Sequence, residues 1–172
     1  MISFVHAITV NGLDSTIVDI EVDINQGLPA FTIVGLADQW VQESKERLRS
    51  ALKSSGARIP PSRITVNLAP ANIKKTWPSF DLAIAVWILL DQWYILSDEL
   101  VKKSIFLGEL GLDGTLRSVP SILPATIGAK EKGYSRIFVP VWNTKEASII
   151  PGIEVIKIQN LKELIDILNK DI

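Results

Sequence analysis

Two periodicities of apolar side chains divide the chain into strands and helices. From Val18 to Ile24 every second residue is aliphatic and the residues between are acidic, which is typical of a β-strand with one solvated face. The β-branched run Ile64–Val66 predicts a strand that leads into a polar loop. Further strands are predicted at Ile2–Val10, Ala30–Val34, Ile105–Leu107, Thr115–Val119, Arg136–Pro140 and Glu154–Ile158.

Helical spacing and capping residues predict the helices. Residues 82–90 are apolar without a break, so the helix predicted at 81–94 is expected to lie buried between layers. Asn160 and Glu163 resemble the capping box of a last amphipathic helix. The other helices are predicted from Asp38 to before Gly56, from Ser97 to Lys103, from Pro120 to Lys132 and from Asn143 to Ile149.

The order of these elements predicts the fold class. Strands open the chain as a meander and then alternate with helices, which indicates an α+β fold, or mixed α/β sandwich, with helices on one side of a sheet. The 172 residues are predicted to form a single domain, 1–172. The loop between Ala69 and Asp81 follows the carboxyl end of a strand, where folds of this kind keep their binding surfaces.

The composition excludes several kinds of site. The chain has no cysteine and one histidine, so thiolate nucleophiles and histidine-rich metal sites are excluded. That histidine, His6, lies among apolar residues and is expected to be a hydrogen-bonded structural residue. No Walker-type or G-x-G-x-x-G string occurs, so we predict no catalytic, cofactor-binding or metal-ligating residue. The longest apolar run has nine residues, against the ~20 that span a bilayer, so we expect a cytoplasmic protein.

Charge is distributed unevenly along the chain. Residues 1–44 carry six acidic side chains and no lysine or arginine, whereas residues 45–75 carry eight basic side chains and one acidic one. Such an excess can attract the phosphates of DNA or RNA, and without a recognition-helix motif the contact is expected to be independent of sequence. The alternative is a solvated helix face neutralised by residues 1–44. The predicted nucleic-acid contacts are Lys45, Arg47, Arg49, Lys53, Lys74 and Lys75.

The loop of residues 72–79 has two further candidate roles. Trp77 and Ser79 can contact a protein partner, because exposed aromatic side chains are frequent interface hot spots. Ser79 can instead be the nucleophile of a Ser-Lys hydrolase, with Lys75 close in sequence, or simply begin the buried helix. Trp87 is expected to lie in the core, and Trp93 is expected to pack over the end of the buried helix.

Several strings in one order resemble a known family. They are 18–24 (V-D-I-E-V-D-I), 27–31 (G-L-P-A-F), 33–36 (I-V-G-L), 43–49 (E-S-K-E-R-L-R), 64–71 (I-T-V-N-L-A-P-A), 80–82 (F-D-L) and 108–117 (G-E-L-G-L-D-G-T-L-R). With them the chain resembles, over nearly its whole length, the N-terminal domain of the magnesium-chelatase-like AAA+ ATPases of the YifB/ComM type, the competence-associated proteins. The resemblance implies a fold like that of ribosomal protein S5 domain 2, shared with the proteolytic domain of Lon.

The resemblance also implies a larger protein. In the family this domain precedes an AAA+ ATPase module that uses ATP and Mg, and members act as hexameric motors on DNA that assist branch migration during natural transformation. The present chain is therefore expected to be a non-catalytic accessory domain, either excised or part of a split protein. Its ATPase partner acts in cis or in trans, and a hexamer is expected only in the full-length context.

The chain departs from the family at two places, and it also differs from the Lon-type peptidases. The family usually has Lys-Glu-Gly where this chain has Lys75, Thr76 and Trp77, and a proline at Ala83, so the loop surface and its backbone freedom differ here. The base of a Lon-type Ser-Lys dyad would stand near Leu123, where no lysine occurs. The resemblance to Lon therefore implies a peptidase site without its base.

Overall fold

The structure, a computed structural model, describes residues 4–59, 61–75, 78–96 and 98–170. The strands are β1 (Val5–Asn11), β2 (Asp14–Asn25), β3 (Ala30–Val34), β4 (Arg63–Ala69), β5 (Ser104–Phe106), β6 (Glu109–Leu110), β7 (Leu116–Arg117), β8 (Arg136–Pro140) and β9 (Glu154–Ile158). The helices are α1 (Gln39–Gln42), α2 (Ser44–Ser54), α3 (Asp81–Asp91), α4 (Glu99–Lys102), α5 (Ile122–Glu131), α6 (Thr144–Ala147) and α7 (Leu161–Leu168). Within the described ranges no helix has the length and apolar character needed to cross a membrane.

One mixed sheet of seven strands organises the molecule. Its strand order is β3-β4-β2-β1-β5-β8-β9, and β6 with β7 forms a separate hairpin. The pairs β1–β2 and β2–β4 are antiparallel, whereas β3–β4, β1–β5, β5–β8 and β8–β9 are parallel. The sheet is therefore mostly parallel and flanked by helices, which confirms the predicted α+β class with a mixed sheet.

Helix α3 lies in the centre of the core. Residues 81–90 are all buried, because the helix contacts β1, β2 and β5 on one side and α2 on another. The predicted buried helix is thus confirmed, although it ends at Asp91 instead of Tyr94. Trp93 adopts a left-handed φ of +62°, which no helix continues, and its side chain is 79% exposed. The expectation that Trp93 packs on the helix is therefore wrong, while Trp87 is buried as predicted.

The two faces of the sheet are covered differently. Over β3, β4 and the part of β2 beyond Asp19, helices α2 and α3 cover one face, and the other face is open, since Glu21 and Thr32 are exposed. This half has the predicted arrangement of helices on one side. At β1, α5 also packs on the second face, where Gly128 lies so close to Ser15 and Ile8 that a Cβ would collide with them. Helices therefore flank the β1 region on both faces.

His6 lies on the face of β1 that α5 covers. Its Nδ1 is 2.8 Å from Asp19 Oδ1, and its ring meets the Tyr134 ring edge-on with 5.4 Å between centroids. The expectation of a hydrogen-bonded structural histidine is confirmed.

Candidate functional site

The loops that follow β3 and β4 are joined by Lys75. Its backbone N–H donates to Leu36 O at 3.1 Å, and its own carbonyl accepts from Asp38 N at 3.2 Å. Its Nζ donates to Gly35 O at 2.8 Å and to Pro70 O. The side chain is fully buried, and burial lowers the pKa of the ammonium below its ordinary value. The structure thus corrects the prediction for Lys75, whose charge holds two loops together and is not presented to a phosphate.

Removing the Lys75 ammonium is expected to destabilise the fold. Lys75→Met keeps most of the apolar stem but leaves the Gly35 and Pro70 carbonyls without their donor, at an expected cost of about 2 kcal/mol in the free energy of unfolding. Urea denaturation measures it. Lys74→Met is the matched control, because Lys74 is exposed, and a change within about 0.5 kcal/mol is expected there. Equal stabilities of the two variants would contradict the structural role of Lys75.

A second buried cluster forms around Asp81 at the start of α3. Its Oδ2 accepts from Arg47 Nε at 2.7 Å and from the Leu110 backbone N–H at 3.0 Å, and Oδ1 accepts from Arg47 Nη2 at 3.3 Å. Arg47 Nη2 also donates to Ser44 Oγ at 3.0 Å. Burial raises the pKa of the Asp81 carboxyl, and the Arg47 guanidinium opposes that rise. The cluster ties α2, α3 and the β6–β7 hairpin to one another.

These two clusters explain why separate strings in the sequence occur together. Gly35 and Pro70 belong to the strings 33–36 and 64–71, and both bind Lys75. Arg47, Asp81 and Leu110 belong to the strings 43–49, 80–82 and 108–117. Residues far apart in sequence meet at two points, one in the loops after β3 and β4 and the other at the start of α3. Their role in the described structure is to position loops.

The six predicted nucleic-acid contacts therefore divide into two groups. Lys75 and Arg47 are engaged inside the molecule, and the prediction for Arg47 is corrected because its guanidinium is paired with the buried Asp81. Lys45 is partly buried, and Arg49, Lys53 and Lys74 are exposed. The first three of these four are spaced by four residues on α2, so they follow one side of that helix.

A groove beside the last turns of α2 collects basic side chains over an apolar floor. Its volume is about 500 Å³. The floor is formed by Phe31, Ala57, Ile59 and Ile64, and the rim by Arg49, Lys53 and Arg58. The Arg49 guanidinium lies 6.0 Å from the centroid of the Phe31 ring. Among the residues that the structure describes, none of the three rim cations is within ion-pair distance of a carboxylate. The groove, called the basic groove below, can therefore take an anion with an apolar or aromatic neighbour.

The sequence did not indicate the basic groove as such. Arg58 follows the end of α2, and only the fold brings it beside Arg49 and Lys53. Its backbone N–H donates to the Tyr94 hydroxyl at 3.0 Å, which fixes this segment against the loop after α3. The excess of basic residues at 45–75 was the available signal, but it did not distinguish free from paired side chains.

The part of the chain that matches a known family contains both the Lys75 cluster and the Asp81 cluster. Residues 20–143 match the family model described as subunit ChlI of Mg-chelatase. The chain belongs to this ChlI family, in its ComM/YifB type.

Relatives of this ChlI-family domain are much longer than the chain. It is 40% identical over 162 residues to an uncharacterized protein of Mycobacterium tuberculosis H37Rv, which covers 92% of this chain and 31% of that protein. It is 38% identical over 162 residues to the competence protein ComM of Haemophilus influenzae, with the same coverage of 92% and 31%. It is 36% identical over 151 residues to YifB of Escherichia coli, covering 88% of this chain and 29% of that protein. The chain thus spans about a third of the length of these relatives.

A more distant relative bears on the fold and on Ser79. The ChlI-family domain is 24% identical over 183 residues to Lon protease 2 of Bacillus subtilis, covering 96% of this chain and 32% of that protein, which is consistent with a Lon-like fold. Ser79 is partly buried and lines a small cavity of about 20 Å³, together with Thr9 and Ser121. No lysine lines that cavity among the described residues, and the Leu123 N–H donates to Glu146 Oε1 at 2.9 Å. The Lys75 Nζ is bound to carbonyl oxygens, so this lysine is not placed as a base for Ser79.

The predicted partner contact at Trp77 lies outside the described residues. The same loop is fixed at Lys75 on one side, and on the other the Ser79 carbonyl accepts from Gly108 N at 3.0 Å. The interaction of this loop with a protein stays a prediction.

Proposed function

We propose that this ChlI-family domain is a non-catalytic accessory domain of a larger protein and that it guides DNA, independently of sequence, along the basic groove. The observation that carries the proposal is the set of three rim cations, Arg49, Lys53 and Arg58, above an apolar floor. Basic side chains held on a helix and an adjoining segment suit phosphates, and an apolar floor suits the sugar or base between them.

The electrostatics of the groove support contacts to the backbone of DNA more than to its bases. Arginine and lysine side chains neutralise phosphates at any sequence. The exposed Lys74 makes no ion pair among the described residues, but it follows the carboxyl end of β4, whereas the groove is lined by Ile64 at the other end of that strand. The chain as a whole carries a formal charge of −1, so the attraction is local to this surface.

The remainder of the proposal concerns the larger protein. The relatives are about three times as long as this chain, and one of them is named a competence protein. We infer that an AAA+ ATPase module, in cis or in trans, supplies ATP- and Mg-dependent work on DNA, and that any hexamer belongs to that context. In this arrangement the domain lends a DNA-contacting surface and no catalytic residue.

Charge reversal in the basic groove tests the DNA role. The triple variant Arg49→Glu, Lys53→Glu, Arg58→Glu is expected to weaken binding to single strands and branched junctions alike. It is also expected to reduce the slope of log affinity against log salt by about one per lost contact, or about three in total. Fluorescence anisotropy of the chain with labelled DNA across a salt series measures both quantities.

The control reverses three exposed lysines outside the groove, Lys103, Lys130 and Lys132. It makes the same change in net charge, so it separates a general electrostatic effect from a local one. Binding by the groove variant that matches binding by this control would remove DNA guidance from the basic groove. Circular dichroism of both variants establishes that they fold.

A further inference from the structure

A second groove lies at the carboxyl ends of β8 and β9. Trp142, in the 3-10 turn Val141–Asn143 directly after β8, is 77% exposed. The groove has a volume of about 650 Å³. It is lined by Thr115, Leu116, Arg117, Ser118, Trp142 and Gln159. In mostly parallel α/β sheets, the carboxyl ends of the strands are where ligands bind.

Hydrogen bonds tie together the backbone segments that carry Trp142 and Arg117. Asn143 is buried, its Oδ1 accepts from Val119 N at 2.9 Å, and its Nδ2 donates to Val119 O at 2.9 Å. On the other side of the groove, Leu116 N donates to Gln159 O at 2.9 Å. The backbones of Trp142 and Arg117 are thereby positioned relative to each other before any ligand arrives, which lowers the entropy lost on binding.

Two carboxylates near this groove accept hydrogen bonds, and a third, Glu109, lies opposite Arg117 in the β6–β7 pairing. Asp113 Oδ1 accepts from the Thr115 N–H at 3.0 Å and from its hydroxyl at 2.6 Å. Glu163 Oε2 accepts from Gln159 N at 2.7 Å. Arg117 is exposed and makes no ion pair with a carboxylate in the described part of the chain. The groove thus combines an open aromatic face, a cation and the polar side chains of Ser118 and Gln159.

We propose that this groove binds a base of single-stranded DNA, stacked on the Trp142 indole, with the adjoining phosphate on Arg117. Every base has an aromatic face, so stacking of this kind tolerates any sequence. The inference rests on the proposed function for the nature of its ligand, but it concerns different residues and a different interaction. It makes this ChlI-family domain selective for single strands over duplex, since paired bases are not free to stack.

The contacts of the hairpin tip connect the two grooves. Ser54 Oγ, next to Lys53 in the last turn of α2, donates to Leu112 O at 3.1 Å. The hairpin then returns through Thr115 to Arg117, which lines the second groove, called the Trp142 groove below. The β6–β7 hairpin therefore contacts the end of α2 at its tip and lines the Trp142 groove with its return strand.

Two probes separate stacking from phosphate contact: a labelled oligo-dT and an abasic strand of the same length. Trp142→Ala is expected to weaken binding to oligo-dT roughly 5- to 150-fold. It is expected to leave abasic binding and the salt slope unchanged. Arg117→Ala is expected to weaken both probes and reduce the salt slope by about one. Trp93→Ala is the matched control, because Trp93 is equally exposed but lies in a groove lined by Glu21, Asp91 and Asp98.

The outcomes distinguish this inference from the proposed function. If Trp142→Ala binds oligo-dT as tightly as the wild-type chain does, the stacking site is overturned. It is also overturned if the variant loses the same affinity for oligo-dT and for the abasic strand. If the triple variant of the basic groove still weakens both probes, DNA guidance stands without the stacking site. If that triple variant binds both probes like the wild-type chain, while Trp142→Ala loses affinity only for oligo-dT, the stacking site stands without the basic groove. If the wild-type chain binds neither probe, both the DNA-guiding role of the basic groove and the stacking site are overturned.

Discussion

Asp81→Ala is expected to lower the free energy of unfolding by about 3–5 kcal/mol. The Asp81 side chain is wholly inaccessible to solvent, and that of Arg47 is only 16% exposed. Truncation leaves the guanidinium without its counter-charge and the Leu110 N–H without its acceptor, and breaking a buried pair in this way is far costlier than losing a surface one. Urea denaturation followed by circular dichroism gives the difference.

The control for this prediction lies in the same helix. Asp91→Ala makes the same chemical change at the last residue of α3, where the side chain is partly exposed, and is expected to stay within about 0.5 kcal/mol of wild type. A loss in Asp81→Ala no larger than that of Asp91→Ala would show that the cluster does not hold the three elements together.

The pH dependence of a partner variant tests the same cluster from the other side. In Arg47→Met the group that opposes the rise of the Asp81 pKa is gone, so burial raises that pKa further. A carboxyl whose folded pKa is raised stabilises the fold below its unfolded pKa of about 3.9, and this stability is lost as the pH rises through the folded pKa. The deficit of Arg47→Met is therefore expected to be large at neutral pH and to shrink on acidification.

Gly35→Ala is expected to be comparably severe, at about 3–5 kcal/mol, for a reason of backbone geometry. Gly35 has a φ of +102°, and a Cβ there would overlap the Leu68 carbonyl oxygen and lie 2.9 Å from Leu68 N and C. Strand atoms of β4 cannot rotate away as a side chain can, so the β3–β4 pairing must shift. The Gly35 carbonyl that accepts from Lys75 would move with it.

A second glycine separates the clash from the dihedral strain. Gly133 has a φ of +86° but no atom within 4 Å of a built Cβ, so Gly133→Ala is expected to cost only the ~1–2 kcal/mol of a left-handed alanine. Thermal or urea melts of both variants give the comparison. If the two alanines cost the same, the close approach of β3 and β4 at Leu68 carries no energetic weight.

Local rules of sequence predicted much of the fold. The bounds of β3, β8 and β9 agree with the predicted strands, because each is a short β-branched or apolar run between turn residues. The cap of α7 is also as predicted, with Asn160 Oδ1 accepting from Glu163 N at 2.9 Å, since a cap involves neighbours along the chain. The end of α3 was misplaced, because Trp93 leaves the helix through a backbone conformation that its residue type does not indicate.

The candidate sites were harder to predict, because they depend on pairing across the fold. Nearness in sequence groups six basic residues together, but two of them meet partners 34 and 40 residues away, Arg47 at Asp81 and Lys75 at Gly35. The Trp142 groove is lined by residues of the β6–β7 hairpin and by residues that follow β8 and β9, and no motif in the sequence predicts it.

The sequence by itself determined the class of fold, the family and the local excess of positive charge, because periodicity, caps and motif strings are properties of neighbouring residues. Only the tertiary structure decided which charges are free. Lys75 is buried and Arg47 is paired with Asp81, so neither charge is available to a ligand. The packing of α2 on the sheet leaves Arg49, Lys53 and Arg58 around one groove. The physical reason is that a charge is available to a ligand only if no internal partner satisfies it, and those partners come from distant parts of the chain.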